Sequence, residues 1–590
     1  MVDLRIYRAS FVIGLFAVLV AMFSFQERPR PLGATLAPDA FDGTQSYVET
    51  GRVVDRYPDR EPGSTGDEHV GNFVESQFRA LGFETSRDRF TGTYDGHDVS
   101  MSNVVGVLSA PSDRQIVVIA PRDSADRPGA STASDTGVLL ALADALDGSS
   151  RHRTFVFVSA DGAAADSAGA RRFVDHYPDR GKVDAVLVLE DVGAEAARRP
   201  FVVPWSSDSH RSSLQISRTA SAELAREADA GTGSPSFVGQ FLRQAWPLTL
   251  REQGPLVAGG LDAVTLTSHG EVQRSGSADN LDGISKVRLG LFGRAAFGTL
   301  LAYDGAPKLD RSPSRYLLIG RKVIPDWAIA LLAAGFAIPA LVASVDAFAR
   351  TRRRGLPIGS RLRWVLAAAV PFLLTLLVAF AFELLGWLPR TASAALAPAT
   401  RPTDGESLPA LAALALVFGL AWVLVRRAAA GPRNHFDHPD PAAGVALALL
   451  LSFEVLLVCA FNPFTALILM PAAHVAVLAA QPRRPRRAGI AAATLGVALA
   501  LPVAAVVYYG TRLDLGFDPT RYVLMLLGSA GGSPLTALLF SLVAGTLASA
   551  LIAAFGAVER READAPVTVR GPATYAGPGS LGGTESALRR

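Results

Sequence analysis

The chain has 590 residues, 49% of them hydrophobic, and a formal net charge of +3. It is too apolar for an ordinary soluble enzyme of that length, and its basic residues cluster beside apolar runs without interleaved aromatics, which excludes a nucleic-acid interface. The single cysteine, Cys459, excludes an intrachain disulfide.

Arg5 and Arg8 precede an apolar segment over about 10–25. The one small-residue cleavage pattern, Thr35-Leu36-Ala37, lies far beyond it and is followed by Pro38, so the segment is predicted to be an uncleaved anchor. Residues 1–29 are therefore assigned to a cytoplasmic N-terminus and anchor helix, and 30–310 to an extracytoplasmic domain of ordinary globular composition.

Within that domain, strand-like apolar runs at 103–108, 115–120, 154–160, 185–190 and 262–267 alternate with helical patterns at 66–82, 136–147, 167–176 and 213–227. The alternation predicts an α/β fold, a mostly parallel sheet sandwiched by helices, with its ligand site at the carboxyl ends of the strands. Four loops lie there: "APRDSADRPGASTASD" (120–135), "SADGAAADSAGARRF" (159–173), "LEDVG" (189–193) and "TSHGEVQRSGSADNLDG" (267–283).

These stretches, with "REPGSTGDEHVGNFVESQFRALGFE" (60–84), resemble the M28 family of zinc exopeptidases over nearly the whole domain. The resemblance implies two zinc ions held by a His-x-Asp motif, a bridging Asp, a Glu-Glu pair whose first member is the general base, a further acid and a last His. On this chain those positions fall on Pro121 with Asp123, on Ala133, on Ala163 and Ala164, on Glu190 beside Asp191, and near Ser275. Proline and alanine bind no metal, so the resemblance implies a fold kept and a zinc site lost, with Asp123, Ala163 and Glu190 marking a vestigial cleft and no cofactor. Asp123 and Glu190 are then expected to cap helices and satisfy loop amides. The loophole is a set of displaced ligands, Asp135, Asp161, Glu190 and His269, which would make the chain an active zinc metallopeptidase.

After a linker at 311–322, residues 323–557 are predicted to form a bundle of about seven membrane helices, at 323–349, 364–389, 409–425, 442–461, 463–480, 488–509 and 534–556. With the N-terminus cytoplasmic, Arg350–Arg354, Arg361, Arg363, Arg426, Arg427, Arg433, Arg483–Arg487 (apart from Pro485) and Arg560–Arg561 all fall on the cytoplasmic side. Residues 26–322 then lie outside, as does the apolar "YVLMLLG" (522–528), and 558–590 form a disordered cytoplasmic tail. Glu383, Glu454 and His474 are ionisable groups within spans, hence functional candidates. Asn462 and Pro463 form a tight outer turn, across which Glu454 and His474 are expected to meet, while Glu383 is expected to snorkel outward.

Anchor, degenerate M28-like domain and multispan bundle together resemble in layout the peptidase-like anchor-attachment subunit of GPI transamidase. The first reading is a cell-membrane protein whose non-catalytic domain binds or scaffolds a peptide, glycan or membrane-protein partner. The alternatives are the displaced-ligand metallopeptidase and a transporter-like or lipid-handling bundle worked by Glu454 and His474.

Overall fold

The computed structural model describes residues 2–33, 41–195, 201–228, 236–268, 270–271, 279–309, 313–389, 391–396, 407–430, 441–480 and 488–563. After helix α1 (Leu4–Met22) and the short strand β1 (Gln26–Glu27), the α/β domain starts with α2 (Gly43–Arg56) and α3 (Thr65–Ala80). Asp42 caps the first and Ser64 the second, each accepting a backbone N–H of the opening turn. β2 (Glu84–Tyr94) and β3 (His97–Leu108) make a hairpin over Asp95-Gly96, both at positive φ, as a two-residue turn requires. There follow β4 (Ser112–Pro121), α4 (Ala130–Leu146), β5 (Arg153–Ala160), α5 (Ala168–His176), β6 (Val183–Leu189), β7 (Phe201–Val203), α6 (Leu214–Ala228), α7 (Phe237–Ala245), α8 (Gln253–Ala258), β8 (Ala263–Thr267) and α9 (Lys286–Asp304).

The seven strands run in the order β2-β3-β5-β4-β6-β8-β7. β5, β4, β6 and β8 are mutually parallel, whereas β2, β3 and β7 join antiparallel at the two flanks. The sheet is thus mixed rather than mostly parallel, because a tight hairpin supplies one flank and a three-residue strand the other. Buried on both faces, the central strands read as continuous apolar runs. Their alternate side chains feed two cores: Ile116, Val118, Phe155 and Leu187 pack with α2, α3, α4 and α9, while Val117, Ile119, Val156 and Val186 pack with α5 and α8. Parallel strands that share one direction bring the loops after β4, β5 and β6 to one edge.

β9 (Tyr316–Ile319) and β10 (Lys322–Pro325) pair with β1 in a second, three-stranded sheet. That sheet ties the exit of α1 to the entry of α10 (Asp326–Arg353). The two helices cross where Gly14, Ala17 and Gly335 let the backbones approach: a Cβ on Gly335 would lie 2.6 Å from that of Ala17. Asp3 meets Arg350 at 2.9 Å, so the N-terminus and the first arginine cluster share one end of the bundle. The remaining helices are α11 (Ile358–Ala367), α12 (Ala369–Leu384), α13 (Ala392–Leu396), α14 (Ser407–Ala430), α15 (Pro441–Phe461), α16 (Pro463–Ala479), α17 (Ala488–Arg512), α18 (Pro519–Gly531) and α19 (Pro534–Ala563). Among the described residues, seven helical stretches are long and apolar enough to cross a membrane, with α11 and α12 counted as one. The span expected at 463–480 is the shorter apolar helix α16, and "YVLMLLG" lies in α18.

Candidate functional site

The loop after β4 contains the small and polar residues that would suit an ion or a phosphate, but an arginine fills it. Arg60 is fully buried. Its guanidinium donates to the carbonyls of Arg122 (3.0 Å), Pro128 (2.9 Å) and Gly129 (2.6 Å). Burial depresses its pKa to about 10, against the pull of Asp279, Asp67 and Asp123. Gly129 has φ +62°, and a Cβ there would fall 2.3 Å from Ser124 Oγ, so the turn around the guanidinium demands glycine.

Pro121 ends β4, and Arg122, which follows it, is completely buried. Its guanidinium meets Asp67 at 2.7 Å and Asp161 at 3.3 Å. It also donates to the carbonyls of Ser159 and Ser102. Asp161 accepts the amide of Ser102 as well (2.8 Å). Asp123 turns the other way and accepts the amides of Ala163 and Ala164, each at 2.9 Å. The positions where a general base is expected therefore present backbone N–H groups to the surviving carboxylate. Burial, with Asp161 as the second cause, pushes Asp123 up to about 6, although the two amides pull it down.

After β6, Glu190 and Asp191 share a third buried arginine. Arg251 lies 3.7 Å from Glu190 and 2.7 Å from Asp191, and it also donates to the carbonyl of Gly270. Asp135 is spent on the amides of Asp191 (2.9 Å) and Val192 (3.0 Å). Ala133 sits in the first turn of α4, wholly buried. Glu252 donates its backbone N–H to Glu190 (3.1 Å), yet both oxygens of its own fully buried carboxyl lack a hydrogen-bond partner. Burial first, then Glu190 and Asp123, holds that carboxyl well above the usual range.

These donors do not fit zinc. Asp135 and Asp161 are engaged by backbone amides and by Arg122 in separate places, and a guanidinium sits against Glu190 where a divalent cation would have to bind. Among the described residues, no three or more His, Cys, Asp or Glu side chains are grouped to hold a metal ion. His269 and Ser275 lie outside the described residues. Asp123 binds loop amides, and Glu190 accepts a backbone N–H at the turn into α8 and carries an ion pair. The sequence reading missed Arg60, Arg122, Arg251 and Glu252. An arginine that is structural looks no different in sequence from one on the surface, and only tertiary contacts separate them.

The loop after β5 also touches the bundle. Asp166 accepts the hydroxyls of Thr391 (2.8 Å) and Ser393 (2.5 Å) beside α13, while Arg171 holds its other side. Asn462 caps α16 and donates to the carbonyl of Gln244 at 2.8 Å, so the expected tight turn is also a docking point for α7. Glu454 and His474, however, do not meet. Glu454 faces α19 and accepts the hydroxyl of Thr546 (2.7 Å). His474 faces α1 and α10: its Nε2–H donates to the carbonyl of Phe336 (3.0 Å), which leaves Nδ1 to accept from Tyr7 (2.8 Å). The helices pair as a hairpin, but eight and eleven residues from the turn the two side chains point to opposite neighbours. Glu383 is buried beside Gly531 of α18 and does not turn outward.

No family model matches the chain, and no curated protein matches it. Among solved structures it is similar to a zinc aminopeptidase from Bacillus subtilis, at 13% identity and a TM-score of 0.37, over 46% of this chain and 97% of that one. It is similar also to a glutaminyl cyclase from Porphyromonas gingivalis, at 16% identity and a TM-score of 0.33, over 44% of this chain and 98% of the other. A leucine aminopeptidase precursor from Bacteroides thetaiotaomicron gives 16% identity and a TM-score of 0.34, over 45% and 98%.

Proposed function

We propose that this chain is a multi-pass cell-membrane protein whose M28 peptidase-like domain is extracytoplasmic and works without metal or chemistry, as a module that binds or scaffolds a peptide, glycan or membrane-protein partner. Both termini are cytoplasmic in this reading, and its layout parallels the peptidase-like subunit of GPI transamidase by analogy only. The observation that carries it is the arginine substitution of the cleft: Arg251 neutralises Glu190 and Asp191 while the amides at 163 and 164 hold Asp123. Carboxylates held by fixed guanidinium groups and loop amides are not placed to activate a water, which suits recognition better than hydrolysis.

The test is metal analysis of the purified full chain. Well under one zinc per chain is expected, with no gain in thermal stability on adding zinc and no cleavage of an aminoacyl reporter. A true site at a hundred times its Kd would add about 2.7 kcal/mol and be plain in the melting curve. Stoichiometric zinc lost on Glu190→Ala or His269→Ala would restore the displaced-ligand peptidase.

A further inference from the structure

Glu454 is 3% exposed, in the middle of α15, and its carboxyl is half satisfied: Oε1 accepts from Thr546, while Oε2 is buried with no hydrogen-bond partner. The charged and titratable groups on the helices packed around α15 are occupied or remote. His474 on α16 is taken by Phe336 and Tyr7, Asp346 and Arg350 on α10 bond each other and Asp3, and Arg361 and Arg363 of α11 stand at the arginine-rich end. Among the described residues no cation pairs with the carboxyl, and a lone charge inside a membrane bundle is costly.

Polar side chains lead from it towards the arginine-rich end; in the opposite direction along α19 the next one, Ser541, spends its hydroxyl proton on the carbonyl of Ala537. On α19, Ser549 lies one turn beyond Thr546, both buried, and Arg426 of α14 reaches Ser549 Oγ at 3.5 Å. Arg426 is stacked over Trp364 and Trp422, with its head at the arginine-rich end of the bundle. Towards Asn462 the same face of α15 continues with the buried, apolar Val458 one turn on. We infer that Glu454 is a proton-exchanging site of the membrane domain, reached from the arginine-rich end through Thr546, Ser549 and Arg426, a function separate from that of the α/β domain.

The apolar reagent dicyclohexylcarbodiimide reports on such a group. A neutral carboxyl gives its proton to one carbodiimide nitrogen, its oxygen bonds the central carbon, and the adduct rearranges to an N-acylurea with nothing lost; a carboxylate does not react this way. The full chain is reconstituted in sealed vesicles of neutral lipid with its orientation fixed, the pH is set separately on each side, and labelled peptides are mapped by mass. Label at Glu454 is expected when the arginine-rich side is acidic, falling several-fold when that side alone is made alkaline and unchanged when only the other side is. Glu454→Gln should lose that label, and mapping on the natural chain assigns the site even if the variant does not fold. Label indifferent to both sides would mean a sealed structural acid, label following the opposite side would mean a different route, and no label at acid pH would mean no neutral carboxyl. Each of these overturns the inference.

Discussion

Glu252 has no hydrogen-bond partner for either carboxyl oxygen and lies fully buried beside Glu190, so its folded form holds a proton that the unfolded chain gives up near pH 4.3. The sign follows from proton counting: where the folded state binds more protons than the unfolded one, stability falls as pH rises. It falls from the unfolded pKa upward until the folded group ionises, at up to about 1.4 kcal/mol per pH unit. Asp67, Asp135 and Asp123 are raised in the same sense and add to the slope. Glu252→Gln, close in shape to the neutral acid, is expected to match the natural chain in melting temperature near pH 5 and to exceed it by a widening margin towards pH 8. Parallel melting curves across that range would show that Glu252 is ionised in the folded chain at every pH tested. None of this was legible in the sequence, where "REQG" gives no sign that one charge is paired and the next stranded. Asp123 was legible, because a carboxylate between two small-residue loops has little but loop amides to bind.

At the scale of elements, the runs that announced themselves were those buried on both faces. β3, β4, β5, β6 and β8 lie where their apolar stretches were read, and α3, α4, α5 and α6 follow the helical patterns. β2 escaped notice because "ETSRDRFTGTY" is a flank strand whose charges mask the alternation, and α9 because glycines interrupt its apolar stripe. The pairing of Glu454 with His474 failed for a different reason: depth along a helix is read from residue number, whereas the neighbour a side chain faces depends on how helices distant in sequence assemble. With Thr546 and Tyr7 as their separate partners, Glu454→Leu and His474→Leu should each destabilise the protein in detergent. The double variant should lose the sum to within about 0.5 kcal/mol. Rescue of one substitution by the other would revive a direct pairing.

For the whole molecule, the contact of Asp3 with Arg350 puts the N-terminus at an arginine-rich end, and the docking of Gln244 on Asn462 puts the α/β domain at the other. A tag for testing the orientation belongs at Gly148, where a side chain would meet nothing within 4 Å, and not at the hairpin tip Gly96, which abuts Gly386. On intact cells an impermeant reagent is expected to reach the tag at Gly148, and to reach one appended after Arg590 only when the membrane is opened. Labelling of the C-terminal tag on closed cells would reverse the proposed orientation.

The three-stranded sheet that joins β1 to β9 and β10 also sets a timetable for biogenesis. Gln26 and Glu27 leave the ribosome roughly three hundred residues before Val323 and Lys322, the residues they pair with. At about 5–20 residues per second, the first helix waits on the order of 15–60 s for α10 to be made. Through that interval its Gly14 and Ala17 face lacks the helix it packs against in the finished protein. Gly14 and Ala17 thus meet the helix they pack against only after the whole α/β domain has been made.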